Sequence, residues 1–223
     1  MTELSFTRSK PFSLPREMQP YLAARNTAPG PHLQSLIEIA DTMPEGRMRL
    51  GTEAGTFLTI LTQAVQPTFV VEVGTFIGYS SLCIAAALPA DGRLLCCDTS
   101  DEWTQIARDH WEAAGVSDQI ELVVGPAAET LAGLDADQHV DLAFIDADKT
   151  GYTGYYEELV PRLSARGVLA VDNVMWGGAV LDVDDQSDDT VALRAFNDHV
   201  AADPRTRNVI VPIGDGVMLV SLA

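Results

Sequence analysis

From Phe69 onward the chain repeats one pattern, a short apolar run followed by a helical stretch, and that alternation limits it to few folds. Phe69 to Val73, Arg93 to Cys97, Ile120 to Val124, Val140 to Ile145 and Gly167 to Val171 read as strands. Strands apolar on both sides, each joined to the next through a helix, belong in a parallel sheet covered on both faces. Two further β-rich stretches, Val209 to Pro212 and Val217 to Leu222, flank Gly214-Asp215-Gly216, which suits a hairpin turn. The expected fold class is therefore α/β, mostly parallel, with one antiparallel strand added by a C-terminal hairpin.

The beginning of the chain is different. Pro11, Pro15, Pro20, Pro29 and Pro31 interrupt short helical stretches, and no strand signal appears. Residues 1–45 are expected to form a helical N-terminal extension, and 46–223 the main domain. Helical spacing shows in Leu33, Leu36, Ile37 and Ile39, and again in Phe57, Leu58, Ile60 and Leu61.

Composition narrows the partners. The 223 residues carry 14 Lys plus Arg against 32 Asp plus Glu, a net charge of −18. A phosphate backbone or anionic membrane is held by basic residues, so nucleic acid and membrane are excluded as expected partners. No apolar run approaches the ~20 residues that cross a bilayer. Met1-Thr2-Glu3 opens no signal peptide. The three cysteines, Cys83, Cys96 and Cys97, lie in apolar runs and read as reduced core residues, so the expected compartment is the cytoplasm.

In a sheet of this kind ligands bind beyond the carboxyl ends of the strands, where strand order reverses. The strand ends here carry Glu72 and Gly74, then Asp98, then Gly125, then Asp146 and Asp148, then Asp172 and Asn173. The first loop, Glu72-Val73-Gly74-Thr75-Phe76-Ile77-Gly78-Tyr79-Ser80, allows a ligand close to bare backbone. Its glycines do not follow the G-x-G-x-x-G dinucleotide spacing, and a plain strand-to-helix turn would use the same residues. Asp98 closes the next strand, where an acid can accept from both hydroxyls of a ribose, or can cap a helix. A nucleoside without a pyrophosphate suits the pair better than a dinucleotide does.

Asp146, Asp172 and Asn173 offer oxygens at two neighbouring strand ends, a set suited to a hard divalent cation such as Mg²⁺ and unsuited to zinc. Taken singly, each aspartate reads as a cap. Lys149 follows in the same loop, in a chain with twelve arginines and only one other lysine, Lys10. A lysine can give up its proton where an arginine cannot, although a solvated surface lysine would look the same in sequence.

These residues resemble the cation-dependent, S-adenosylmethionine-dependent O-methyltransferases, the family of the caffeoyl-CoA and catechol enzymes. The likeness runs from Met48-Arg49-Leu50-Gly51 through Cys97-Asp98-Thr99-Ser100, Gly125-Pro126-Ala127, Phe144-Ile145-Asp146-Ala147-Asp148-Lys149 and Val171-Asp172-Asn173-Val174-Met175-Trp176 to Pro212-Ile213-Gly214-Asp215-Gly216. It implies a Rossmann-like class I methyltransferase fold with seven strands. It also implies that Leu50, Gly74, Thr75 and Asp148 line the cofactor, that Glu72 and Ser80 hold its methionine end, Asp98 its ribose and Ala127 its adenine edge. Asp146, Asp172 and Asn173 would bind the metal, Mg²⁺ first and Ca²⁺ or Mn²⁺ as alternatives, with Asp146 also near the cofactor's amino group. Lys149 falls at the catalytic base, Trp176 walls the acceptor pocket, and Trp103 either flanks the adenine or packs a helix. Gly151 and Gly177 stand where caffeoyl-CoA relatives often carry Asn, so the thioester is not implied as substrate.

The expected reaction is methyl transfer from S-adenosylmethionine to one hydroxyl of a vicinal dihydroxyaryl small molecule, by a homodimer. A non-catalytic S-adenosylmethionine- or nucleoside-binding protein is the rival, though it would need neither Asp172, Asn173 nor Lys149. A nicotinamide-dependent dehydrogenase is disfavoured by the glycine spacing. Asp182, Asp184, Asp185, Asp188 and Asp189 fall within eight residues but lack the Gly and Glu of an EF-hand, with Ser187 and Leu193 in their places. They read as a solvated loop capping the next helix, beside the acceptor pocket.

Overall fold

A computed structural model of the chain describes residues 18–223; the first part of the expected N-terminal extension, residues 1–17, lies outside the described residues. Seven strands form one sheet: β1 (Phe69–Val73), β2 (Arg93–Asp98), β3 (Ile120–Val124), β4 (Val140–Ile145), β5 (Leu163–Val171), β6 (Thr206–Val211) and β7 (Val217–Leu222). Their order is β3-β2-β1-β4-β5-β7-β6. All neighbours among β1 to β5 are parallel, and β7 runs antiparallel to both β5 and β6. The chain builds outward from β1 to β3, then returns to start β4 on the other side of β1. That reversal opens a crevice above the carboxyl ends of β1 and β4.

Among the described residues eight α-helices accompany the sheet: α1 (Met18–Ala23), α2 (Pro31–Ala40), α3 (Thr52–Val65), α4 (Tyr79–Ala85), α5 (Asp101–Ala113), α6 (Ala127–Ala132), α7 (Tyr152–Leu159) and α8 (Asp188–Ala202). Alternation along the strands sorts their side chains between two cores. Val71, Val73 and Ile145 face Leu131 of α6, Tyr156 of α7 and Phe196 of α8. Val70, Leu142 and Phe144 face Leu36 of α2, Leu58 of α3 and Ala107 of α5. Each fully buried side chain of this size contributes roughly 1.5–3 kcal/mol. Among the described residues no helix is long and apolar enough to cross a membrane.

β5 starts four residues before the expected Gly167, because Ser164, Ala165 and Arg166 form a polar, partly exposed beginning beside an irregularity in the β4 pairing. The hairpin forms as expected, with Gly214 and Gly216 both at positive φ in its turn.

Candidate active site

The strand-end loops enclose a cleft of about 1090 Å³. Twelve of the thirteen residues singled out above line it: Leu50, Gly74, Thr75, Ser80, Asp98, Ala127, Asp146, Asp148, Lys149, Asp172, Asn173 and Trp176. The thirteenth, Glu72, is completely buried behind it.

The floor is held by backbone contact. Gly74 sits at φ 91°, and a Cβ there would drive into the carbonyl of Asp146, so only glycine lets the ends of β1 and β4 close. Asp146 N–H donates to the Val73 carbonyl at 2.8 Å across the same seam. Phe76, Asn173 and Trp176 take positive φ as well and all line the cleft, which places backbone strain at this end of the molecule.

Asp98 organises the first loop. Its Oδ2 accepts from the N–H groups of Thr75 and Phe76 at 2.9 and 2.7 Å, and its Oδ1 from Ser100 N–H at 2.8 Å. Three of about four acceptor positions are taken, leaving one for a ligand hydroxyl. The helix cap that Asp98 might have supplied falls instead to Ser100, whose Oγ accepts from Trp103 N–H. Trp103 lines the cleft and packs edge-on against Phe76 of the first loop at 5.1 Å.

Glu72 alternates with Val70 onto the α3–α4 side of the sheet. Its Oε2 accepts from Thr75 Oγ1 at 3.1 Å and from the Cys96 thiol at 3.3 Å, while Oε1 has no partner among the described residues. Burial pushes its carboxyl up to about 7, against the nearby Ser80, Cys96 and Thr75 side chains, which favour the charged form.

Lys149 is the centre of the other half. Its ammonium donates to Asp146 Oδ1 at 3.0 Å, Asn173 Oδ1 at 2.8 Å and the Tyr152 hydroxyl at 2.6 Å, while the lysine is only 7% exposed. The Tyr152 hydroxyl in turn donates to the Asp172 carbonyl. Asp172 is buried more deeply still, and its Oδ1 has no partner among the described residues. Burial first and the charge of Asp146 second push its carboxyl up from the ordinary aspartate range. An unpaired buried carboxylate is costly, and a divalent cation is a natural partner for an all-oxygen group of this kind. Asp146, Asp172 and Asn173 thus fit a hard cation, with Trp176 as a wall whose ring lies 5.5 Å from the Lys149 nitrogen.

Several lining residues had no role assigned from the sequence. Tyr155 donates to Asp148 Oδ1 at 2.6 Å, and a Cβ on Gly151 would stand 2.6 Å from the Tyr155 ring, so this pair needs the glycine. Arg47, Met48 and Arg49 reach the cleft from the segment before α3, and Asp215 from the hairpin turn. Of the acidic run, Asp189 reaches the lining, while Asp185 accepts from Ser187 N–H and from the Ser187 and Thr190 hydroxyls at the start of α8, whose N-cap Ser187 makes no side-chain cap bond. Glu157, His199 and Asp203 also cluster, away from the cleft lining, but Arg205 already bridges the two acids at 2.8 and 2.6 Å.

Comparison with known proteins supplies the class of chemistry. The O-methyltransferase family model matches residues 25–222. The chain is 34% identical to catechol O-methyltransferase domain-containing protein 1 of Mus musculus, over 92% of this chain and 81% of that one. It is 33% identical to the caffeoyl-CoA O-methyltransferase of Stellaria longipes, over 83% and 81%. The crystal structure of TomG from Streptomyces achromogenes, an O-methyltransferase involved in tomaymycin synthesis and seen in complex with SAM, superimposes with a TM-score of 0.83 at 26% identity, covering 92% and 96% of the two chains. A match that takes in both faces of the sheet and every loop of the cleft leaves one conclusion: the chain belongs to the O-methyltransferase family.

Proposed function

We propose that the protein transfers a methyl group from S-adenosylmethionine to one hydroxyl of a vicinal dihydroxyaryl small molecule, with the help of a divalent cation. The observation that carries this reading is the oxygen set of Asp146, Asp172 and Asn173 around the buried Lys149, with Asp172 itself buried and its Oδ1 unpaired among the described residues. A binding protein without chemistry has no use for a buried, unpaired carboxylate beside a buried lysine.

The two halves of the cleft divide the work. On the β1–β3 side, the remaining acceptor position of Asp98 suits a ribose hydroxyl, and Gly74, Thr75, Leu50 and Ala127 offer backbone and small side chains. Glu72, with its free Oε1, is suited to draw the amino group of the methionine end, helped by Ser80; Asp148, fixed by Tyr155, stays on the cofactor side. On the β4–β5 side, Asp146, Asp172 and Asn173 would hold the cation. When bound, it supplies a Lewis acid that acidifies a chelated phenol, whose unassisted pKa is about 10.

Lys149 is the group that takes the proton, acting as the neutral amine: the ammonium first gives up one of its three protons to solvent, and the lone pair so freed accepts the proton that leaves the phenol. Its nitrogen is pinned between three oxygens, so its position is fixed before an acceptor arrives and no reorganisation is needed at the moment of transfer. Trp176 closes one wall and keeps an aryl ring in line. The net charge of −18 supports a small-molecule acceptor over nucleic acid. Three buried free thiols support a reducing compartment, the cytoplasm. A homodimer completes the reading and is checked by sedimentation.

The test is turnover of a panel of catechols by metal-stripped protein with labelled cofactor. Activity should vanish in chelator and return with Mg²⁺, Mn²⁺ or Ca²⁺. Full-rate methylation in chelator would eliminate the metal-assisted mechanism.

A further inference from the structure

Arg49 lies between the short 3₁₀ turn Gly46–Met48 and α3, and its guanidinium is committed to the protein on one side only. Nη1 donates to the Leu50 carbonyl at 2.6 Å, and the group stands 4.9 Å over the Tyr79 ring, held in place from below. Nε is buried and has no partner among the described residues. The Nε and Nη2 edge is the one that grips a carboxylate with two parallel hydrogen bonds. Arg49 lines the cleft and is half-buried, and a guanidinium there with a buried Nε left unpaired lacks an anion.

We infer that Arg49 binds the carboxylate at the methionine end of S-adenosylmethionine. This rests on the proposed placement of that end at Glu72 and Ser80. Tyr79, on which Arg49 stacks, is the residue before Ser80, and Leu50, to which it is hydrogen-bonded, is a proposed cofactor contact. An amino acid end carries both signs, and the pair meets both: the free oxygen of Glu72 for the ammonium, the free edge of Arg49 for the carboxylate.

Other cations of the lining serve less well. All three donors of Lys149 are engaged, and Arg47 is exposed, so it would have to be ordered on binding. Every other charged lining residue is an aspartate, which repels the carboxylate.

The test compares two ligands by calorimetry on the full chain: S-adenosylhomocysteine, and 5′-methylthioadenosine, which has the same nucleoside thioether but no amino acid. Arg49→Met should weaken the first by about 10- to 100-fold, the range of a lost charge-assisted pair, and leave the second unchanged. Arg49→Lys should fall between, since it keeps the charge but not the fork. Equal losses on both ligands in both variants would mean that Arg49 only shapes the cleft. No loss on either, or a loss confined to Arg47→Ala, would also overturn the assignment. Wild-type protein that bound neither ligand would instead remove the cofactor reading and this inference with it.

Discussion

At the scale of single residues the molecule buries two carboxylates, Glu72 completely and Asp172 almost so. Glu72 binds its proton more tightly when folded than when unfolded, because burial raises its carboxyl to about 7 from an ordinary 4.5. The sign follows: its contribution is most favourable below pH 4.5 and is lost as pH rises towards 7, by roughly 3 kcal/mol in all. Glu72→Gln should remove that loss, so the stability difference between variant and wild type should grow between pH 4.5 and 7 in urea melts and then level off. A difference independent of pH would mean that Glu72 is not buried as a neutral acid. Asp172→Ala should cut turnover by about 100-fold or more while S-adenosylhomocysteine affinity changes by less than about twofold, since the metal side and the cofactor side are distinct. Residues at strand ends were legible in the sequence because the fold fixes where a strand must point. Arg49 and Tyr155, which reach the cleft from a turn and a helix face, were not, nor was Tyr152, buried in the core against Lys149, because neither spacing nor composition says which helical face meets a loop.

Among elements, the alternating pattern identified every strand and the hairpin, since apolar runs of five or six residues bounded by polar ends leave little choice. The start of β5 was hidden by its polar Ser164 and Arg166, which sit where the sheet gives way to solvent. What could not be read was how α2 docks. Leu36 and Ala40 are fully buried with α4 and α5, so this helix of the N-terminal stretch shares a core with the sheet. Leu36→Ala should therefore cost about 2–5 kcal/mol in a denaturant titration, the range for an emptied core site. Two glycine substitutions should move stability in opposite directions. Gly74→Ala meets both a positive φ and the Asp146 carbonyl and should destabilise by about 2–4 kcal/mol. Gly154→Ala, on an exposed position of α7 with nothing within 4 Å, should stabilise by about 0.5–1 kcal/mol.

For the whole molecule the governing quantity is the net charge of −18. Much of it is clustered, in Asp182 to Asp189 and along the cleft, and only five ion pairs are found among the described residues. Self-repulsion should therefore oppose folding, and monovalent salt should raise the melting temperature as the screening length falls from about 30 Å at 0.01 M to about 3 Å at 1 M. That response is general and should survive any single substitution. A cation held by Asp146, Asp172 and Asn173 acts differently, because binding to the folded state alone stabilises it along a saturation curve set by its dissociation constant. At fixed ionic strength, Mg²⁺ should thus raise the melting temperature of the wild type hyperbolically, whereas Asp172→Ala should keep its response to monovalent salt and lose the response to Mg²⁺. If both proteins answered Mg²⁺ alike, the ion would be acting on the acidic surface as a whole, and the unpaired oxygen of Asp172 would need another partner.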